Sequence, residues 1–327
     1  MNHGFILGKF APLHRGHEFL IQHARKKCNG LTVLVLSQHS AAIPGWLRYH
    51  WVKSTFPELD VRHVIGSTST QVPESSIPIE SASSMQKVEM ILRSFSDKPK
   101  LLFESGIKQK RFAQSFGIQH ITIDPERINF PIETSLIREN PHAHWDLLPQ
   151  NVRPHYLRRI ALVGPESCGK SYLAEQLALH FNTVFVEEYG RTYCEKFGMD
   201  SSELDFAHVA GGQLYREDKM ALQANRILFC DTELIVTQLW SEIYFKGKCQ
   251  PWIFWADHSR RYDLYLLCAP DIPWVNDGLR EFEGQREWMF ERLRQELESR
   301  GLNFEIIKGD FEERISNAIR LVERITK

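Results

Sequence analysis

The sequence predicts an α/β protein built of two doubly wound parallel-sheet domains, and three observations predict it. Short apolar runs alternate with amphipathic helical stretches along the chain, and a glycine-bearing turn follows the first apolar run of each half. A passage containing Pro141, Pro149 and Pro154 interrupts the alternation midway. At 327 residues the chain exceeds what one hydrophobic core usually organises, so two domains are expected, 1–150 and 151–327.

Taken in order, Phe5-Ile-Leu-Gly is a short apolar run ending at a turn, and Glu18 to Lys27 reads as a helix burying Phe19, Leu20 and Ala24. Leu31 to Ser37 is the continuous apolar stretch of a strand covered on both faces. Strands follow at 61–65, 100–103 and 120–123, with helices at 47–56, 84–94 and 109–116. Residues 66–83, rich in Ser, Thr and Pro and without an aromatic, read as a long irregular loop. Beyond the proline passage, strands are expected at 160–163, 183–187, 227–231, 264–268 and 303–307, separated by helical patterns.

Composition narrows the function. With 43% hydrophobic and 25% charged residues, no bilayer-length apolar run and no signal-like start, the chain reads as a soluble cytoplasmic protein without a membrane partner. A net charge of −1 with dispersed Lys and Arg argues against a nucleic-acid partner. Six scattered cysteines without a C-x-x-C pair argue against zinc or a disulfide framework. Small phosphorylated ligands need only a local cluster of donors; self-association is left open.

Gly164-Pro165-Glu166-Ser167-Cys168-Gly169-Lys170-Ser171 fits G-x-x-x-x-G-K-[ST] between an apolar strand and the helical stretch Tyr172 to His180, the context this phosphate-binding loop requires. The glycines let backbone N–H groups curl around phosphate oxygens, Lys170 reaches the β- and γ-phosphates of ATP, and Ser171 ligates Mg²⁺. Ile227-Leu-Phe-Cys-Asp231 sets a carboxylate at a strand end, the place of a second metal ligand. Glu188, Tyr189 and Arg191 form another strand-end group, read with Gln213 as holding the substrate or polarising an attacking hydroxyl. Trp274, Asp277, Arg280 and Arg286 lie in a Gly- and Arg-rich stretch that reads as a lid. Its arginines would stabilise the transferring phosphoryl group, its Trp would stack on a heterocycle and its Asp would hold a ribose.

A second phosphate site follows the first strand: Gly8-Lys9-Phe10-Ala-Pro-Leu-His14-Arg-Gly16-His17. His14 and His17 are spaced to share a helical face, and Gly16 admits phosphate close to the backbone. Such a pair suits nucleotidyl transfer, where the enzyme orients an attacking phosphate and stabilises the departing pyrophosphate.

GKFAPLHRGH resembles the signature of the adenylyltransferase superfamily. Together with GPESCGKS, EEYGRTY, FCDTE, WVNDGLR and Arg138-Glu-Asn-Pro, it makes nearly the whole chain similar to the bifunctional nicotinamide-nucleotide adenylyltransferase/ribosylnicotinamide kinase family. The resemblance implies that the C-terminal domain makes nicotinamide mononucleotide from nicotinamide riboside and ATP, and that the N-terminal domain adenylates it to NAD. Some members carry a DNA-binding helix-turn-helix ahead of these domains; this sequence starts at the first strand, so that role is not expected. The superfamily's second motif, I-S-x-T-x-x-R, stands here as Ile132-Glu-Thr-Ser-Leu-Ile-Arg138, with Ser135 and Arg138 at the hydroxyl and guanidinium positions and Glu133 where a serine is expected. A carboxylate beside triphosphate repels it unless it points away or binds metal. Three readings therefore stand: a bifunctional enzyme, a kinase whose N-terminal domain only senses nucleotide, and a kinase for another nucleoside.

Overall fold

The computed structural model describes residues 2–38, 41–66, 82–95, 98–198, 202–275 and 283–326. The chain forms two compact units, Met1–Arg153 and Pro154–Lys327.

In the first unit, strands β1 (His3–Gly8), β2 (Gly30–Gln38), β3 (Asp60–Gly66), β4 (Leu101–Glu104) and β5 (Gln119–Thr122) alternate with helices α1 (Arg15–Arg25), α2 (Gly45–Thr55), α3 (Ala82–Arg93) and α4 (Lys110–Ser115). A short α5 (Thr134–Glu139) follows. The strands form one parallel sheet in the order β3-β2-β1-β4-β5, with Phe5 opposite Thr32 and Leu7 opposite Leu34. Alternate side chains Phe5, Leu7, Leu34, Leu36 and Val64 share a face and pack with Leu102 against Val88, Leu92 and Phe112 of α3 and α4. Helix α1 starts three residues before its expected start, because His14 caps it: the residue is extended (φ −147°, ψ 169°) and its ring accepts the Gly16 N–H. Of the expected irregular loop at 66–83, residues 67–81 lie outside the described residues.

The second unit carries β6 (Arg158–Val163), α6 (Lys170–His180), β7 (Val184–Val186), α7 (Tyr189–Phe197), α8 (Glu203–Ala221), β8 (Ile227–Asp231), α9 (Leu234–Tyr244), α10 (Pro251–Ser259), β9 (Leu264–Cys268), α11 (Arg286–Ser299), β10 (Phe304–Ile307) and α12 (Phe311–Thr326). Its parallel sheet runs β10-β9-β6-β8-β7. The central β6 shows the two-residue period directly. Ile160 and Leu162 face Leu173, Leu177 and Val322 of α6 and α12, whereas Ala161 and Val163 face Ile235, Leu239 and Leu293 of α9 and α11. Burial on both faces explains why β8 and β9 read as unbroken apolar runs, and it puts the loops that follow β6 and β8 at the carboxyl edge, where open α/β sheets take their ligands. Among the described residues no helix is long and apolar enough to cross a membrane.

Candidate functional site

The loop between β6 and α6 is held open by backbone conformations that few residues tolerate. Gly164 (φ 151°) and Gly169 (φ 81°) lie in the left-handed region, and a Cβ on Gly164 would stand 2.6 Å from the Cys268 carbonyl oxygen. Lys170, the first residue of α6, donates through Nζ to the carbonyls of Gly164 (3.1 Å) and Pro165 (2.9 Å), which keeps the ammonium inside the loop. Burial works to lower its pKa, but negative charge at Cys168, Glu188 and Asp231 raises it above the ordinary lysine value, so the group is charged. Arg314 on α12, 2% exposed, donates to the backbone oxygens of Gly309 (2.7 Å), Cys168 (3.1 Å) and Ala269 (2.9 Å) and to Asp271.

Asp231, at the end of β8, is 1% exposed, and its Oδ1 is buried without a hydrogen-bond partner. Burial first, then the Glu188 carboxylate, push its pKa up to about 7 against the opposing pull of Lys170 and the Ser171 hydroxyl. An orphaned carboxylate oxygen beside a hydroxyl at a phosphate loop is a donor set that suits a hard cation sharing its other positions with phosphate and water. Among the described residues no cluster of three or more His, Cys, Asp or Glu forms a dedicated metal cage.

A cavity of about 830 Å³ is lined by residues of the loop, by Glu188 and Arg191, and by Tyr193, Asp205, Phe206, Trp240 and Tyr244. The Tyr193 hydroxyl donates to Asp205, which also closes the cap of α8 by accepting from Ser202, and the Tyr244 ring lies 5.8 Å from Phe206 and 6.1 Å from Trp240. Sequence reading missed these five. The available signals were the Ser202-x-x-Asp205 cap and the i, i+4 spacing of Trp240 and Tyr244, both of which are common in helices without a ligand.

The structure brings together Gly164 to Ser171, Glu188, Arg191 and Asp231, but several other expected contacts are corrected. Tyr189 does not line the cavity: a Cβ on Gly212 would meet its ring at 2.1 Å, and Arg216 stacks on it at 4.9 Å, so the ring belongs to the α7–α8 packing. Gln213 does line the cavity, and its amide is held by backbone, accepting from Tyr189 N (2.8 Å) and donating to the Asp231 and Thr232 carbonyls (both 3.4 Å). Trp274 stands over Arg286 (5.8 Å), leaving Ile272, Pro273 and Val275 to line the cavity. Arg286 reaches the loop through Nη2, which donates to the Ser167 (3.1 Å) and Ile272 (2.9 Å) carbonyls. Asp277 and Arg280 lie outside the described residues.

At the carboxyl end of β1, Phe10 adopts φ 48° and folds its buried ring over Gly8, where a Cβ would meet it at 2.7 Å. The Lys9 carbonyl accepts from the buried Arg48 (2.9 Å). His14 and His17 do not share a helical face, since His14 is the cap; their rings nevertheless lie 3.8 Å apart. Thr134, which sequence reading passed over, bonds the His14 ring (2.9 Å), while Ser135 donates to Glu133 (3.5 Å) and Arg138 is exposed on α5. Burial chiefly, then the nearby Arg127, pull His14 down to about 4; burial, His14 and Arg127 push His17 the same way. Both imidazoles are therefore neutral, and the buried Nδ1 of His17 has no hydrogen-bond partner.

Two parallel sheets, one with a phosphate loop flanked by a buried carboxylate and the other with a histidine pair at its carboxyl edge, define a two-unit α/β nucleotide-binding protein. A family model described as an AAA domain matches residues 159–314. The trifunctional NAD biosynthesis/regulator protein NadR of Escherichia coli K12 is 29% identical over 98% of this chain and 83% of its own length, and that of Salmonella typhimurium LT2 is 28% identical over 99% and 83%. Solved structures of a NadR protein, one with NR and one with NAD and AMP-PNP, superpose with a TM-score of 0.80 at 23% and 22% identity, covering 99% of this chain and 96% of theirs. Over nearly its whole length the chain is similar to NadR proteins, in keeping with the adenylyltransferase–kinase family its motifs resemble.

Proposed function

We propose that this protein is an NAD-salvage enzyme that phosphorylates nicotinamide riboside with ATP in the C-terminal cavity and joins the resulting mononucleotide to ATP at the N-terminal histidine pair. The observation that carries the first activity is the partnerless Asp231 Oδ1 close to Ser171 and a charged Lys170, which line a cavity that also has aromatic walls. Homology to NAD-biosynthesis proteins supports the choice of substrate.

In this reading the Lys170 ammonium exchanges the Gly164 and Pro165 carbonyls for phosphate oxygens, and the loop N–H groups take the charge that develops on the transferring group. Ser171 and Asp231 would hold Mg²⁺, which when bound supplies charge neutralisation between the phosphates. Glu188 accepts the proton of the riboside hydroxyl as that oxygen bonds to the γ-phosphorus and the bond to the β–γ bridging oxygen breaks, releasing ADP. Tyr193 and Asp205 meet the polar riboside, and Phe206, Trp240 and Tyr244 meet its planar ring. At the other site neutral His17 donates a hydrogen bond, and His14 donates through the Nε2–H it releases from Thr134, as the mononucleotide phosphate attacks the α-phosphorus and pyrophosphate departs.

The test is phosphorylation of nicotinamide riboside against cytidine, uridine and thymidine. Riboside should be preferred and Lys170→Ala should abolish the activity; activity that survives Lys170→Ala, or a preference for a pyrimidine nucleoside, would overturn the reading. The regulatory alternative for the N-terminal unit is favoured by Glu133. It is sunk if the protein forms NAD from nicotinamide mononucleotide and ATP at a rate abolished by His17→Ala.

A further inference from the structure

On the adenylyl-transfer reading two negatively charged substrates meet at the N-terminal site, where the two neutral histidines add nothing to the charge of Lys9 and Arg138. The segment between β5 and α5 carries a further cation. Asp124 and Arg127 both adopt left-handed backbone (φ 54° and 53°), the Arg127 N–H donates to the Asp124 carbonyl (2.9 Å), and the Asp124 carboxylate takes the N–H groups of Ile128 (3.0 Å) and Asn129 (3.1 Å). Phe130 then packs on α1, its Cβ 3.5 Å from where a Gly16 side chain would begin and its ring 5.5 Å from Phe19. This tight turn fixes Arg127 beside the first turn of α1, close enough that its guanidinium depresses both imidazoles after burial has done so. Its Nη1 lies 3.4 Å from Glu133 Oε1 and 3.5 Å from the Ile132 carbonyl. The side chains of Arg127 and Glu133 are 42% and 70% exposed, so the pair stands in water and is readily exchanged for a stronger anion.

We propose that Arg127 is a phosphate-binding residue of the N-terminal site, recognising the triphosphate chain of a nucleotide, and that Glu133 is its exchangeable counter-ion. Glu133, standing where the superfamily pattern has serine, thus meets no phosphate directly: it holds the guanidinium until phosphate oxygens displace it. The guanidinium then makes charge-assisted, paired hydrogen bonds that a lysine cannot fully reproduce. The cost of displacing Glu133 sets the affinity for ATP, making the pair a specificity device for strongly anionic ligands. The proposal rests on the adenylyl-transfer reading of this site, but its test separates the two.

The experiment uses the full chain. NAD formation from nicotinamide mononucleotide and ATP is followed for Arg127→Gln, Arg127→Lys, Glu133→Ser and the Arg127→Gln/Glu133→Ser pair. ATP binding is measured for the same set in a Lys170→Ala background, which silences the other nucleotide site. Arg127→Gln should raise KM and Kd for ATP about tenfold or more, with a smaller effect on kcat, and Arg127→Lys should recover part of the loss. Glu133→Ser should tighten ATP several-fold when Arg127 is present and leave it unchanged when Arg127 is Gln. Riboside phosphorylation by Arg127→Gln reports that the chain is folded. Unchanged ATP affinity in Arg127→Gln overturns the proposal, as does equal tightening by Glu133→Ser in both backgrounds, which would mean the carboxylate repels phosphate directly. If no NAD forms but ATP binding depends on Arg127 as stated, the adenylyl-transfer reading fails and the phosphate role stands. If the Lys170→Ala protein neither forms NAD nor binds ATP, both fall.

Discussion

Asp231 carries a carboxylate into a site where burial penalises its charge, with a pKa near 7 and one oxygen without a partner. The folded chain therefore holds a proton there that the unfolded chain has already released, so this residue subtracts stability progressively as pH rises from about 4 to about 7. Asp231→Asn is expected to remove kinase activity while stabilising the C-terminal unit by on the order of a few kcal/mol at pH 7.5, read as a rise in urea midpoint; a fall in the midpoint would show that the carboxylate is satisfied in the fold. His14 has the opposite sign. Its folded pKa of about 4 lies below that of an unfolded histidine, about 6.5, so the stability it contributes is complete above pH 6.5 and is lost as pH falls toward 4. Hydrogen exchange of the α1 amides should accelerate over that window beyond the intrinsic pH effect, and His14→Gln, which keeps a donor without titrating, should flatten the dependence.

At the scale of elements, what shapes the phosphate loop lies outside it. The first turn of α12 sends Arg314 under the loop, where its guanidinium gathers the carbonyls of Gly309, Cys168 and Ala269 with the Asp271 carboxylate, and Phe311 of the same turn meets Tyr172 of α6 edge-on at 5.2 Å. Removing the side chain leaves the buried Cys168 carbonyl and the partly buried Ala269 carbonyl short of a donor, whereas the Asp271 carboxylate is exposed and keeps the Gly309 N–H. Arg314→Leu is expected to cost about 1–3 kcal/mol in urea unfolding and to raise the ATP KM more than it lowers kcat. Arg314→Lys should restore part of the stability but little of the KM, because one ammonium cannot face all these acceptors. A kcat loss with KM unchanged would show that the loop keeps its ATP-binding shape without α12. Helices α7 and α8 act similarly on the acceptor side: Gly212 lets Tyr189 lie flat on α8, and Gln213 ties the start of α7 to the end of β8.

For the whole molecule, two compact units each carry a candidate site after their first strand, and the expected consequence of the proposed function is separable chemistry. Lys170→Ala should abolish riboside phosphorylation and spare NAD formation from supplied mononucleotide, His17→Ala should do the reverse, and a mixture of the two variants should convert riboside to NAD. Loss of both reactions in either variant would show that the units do not act independently. Much of this was legible in the sequence. The two parallel sheets could be read because a strand buried on both faces must be an unbroken apolar run, as at 227–231 and 264–268, and the turn after β6 could be read because glycines and their neighbours set backbone conformation locally. Local pattern was silent where an unusual residue took a familiar role, as when His14 rather than Ser or Asp capped α1. The sequence by itself thus determined the strands, the helices and the glycine-bearing loops that follow β1 and β6. Only the tertiary structure decided that Tyr189 and Trp274 turn away from the cavity, that Tyr193, Phe206 and Trp240 converge on it from three helices, and that Arg127 faces His14 from a loop more than a hundred residues further along the chain. The physical reason is that backbone shape depends on neighbours in sequence, whereas the direction and charge state of a side chain depend on what distant segments pack against it and on how much water they exclude.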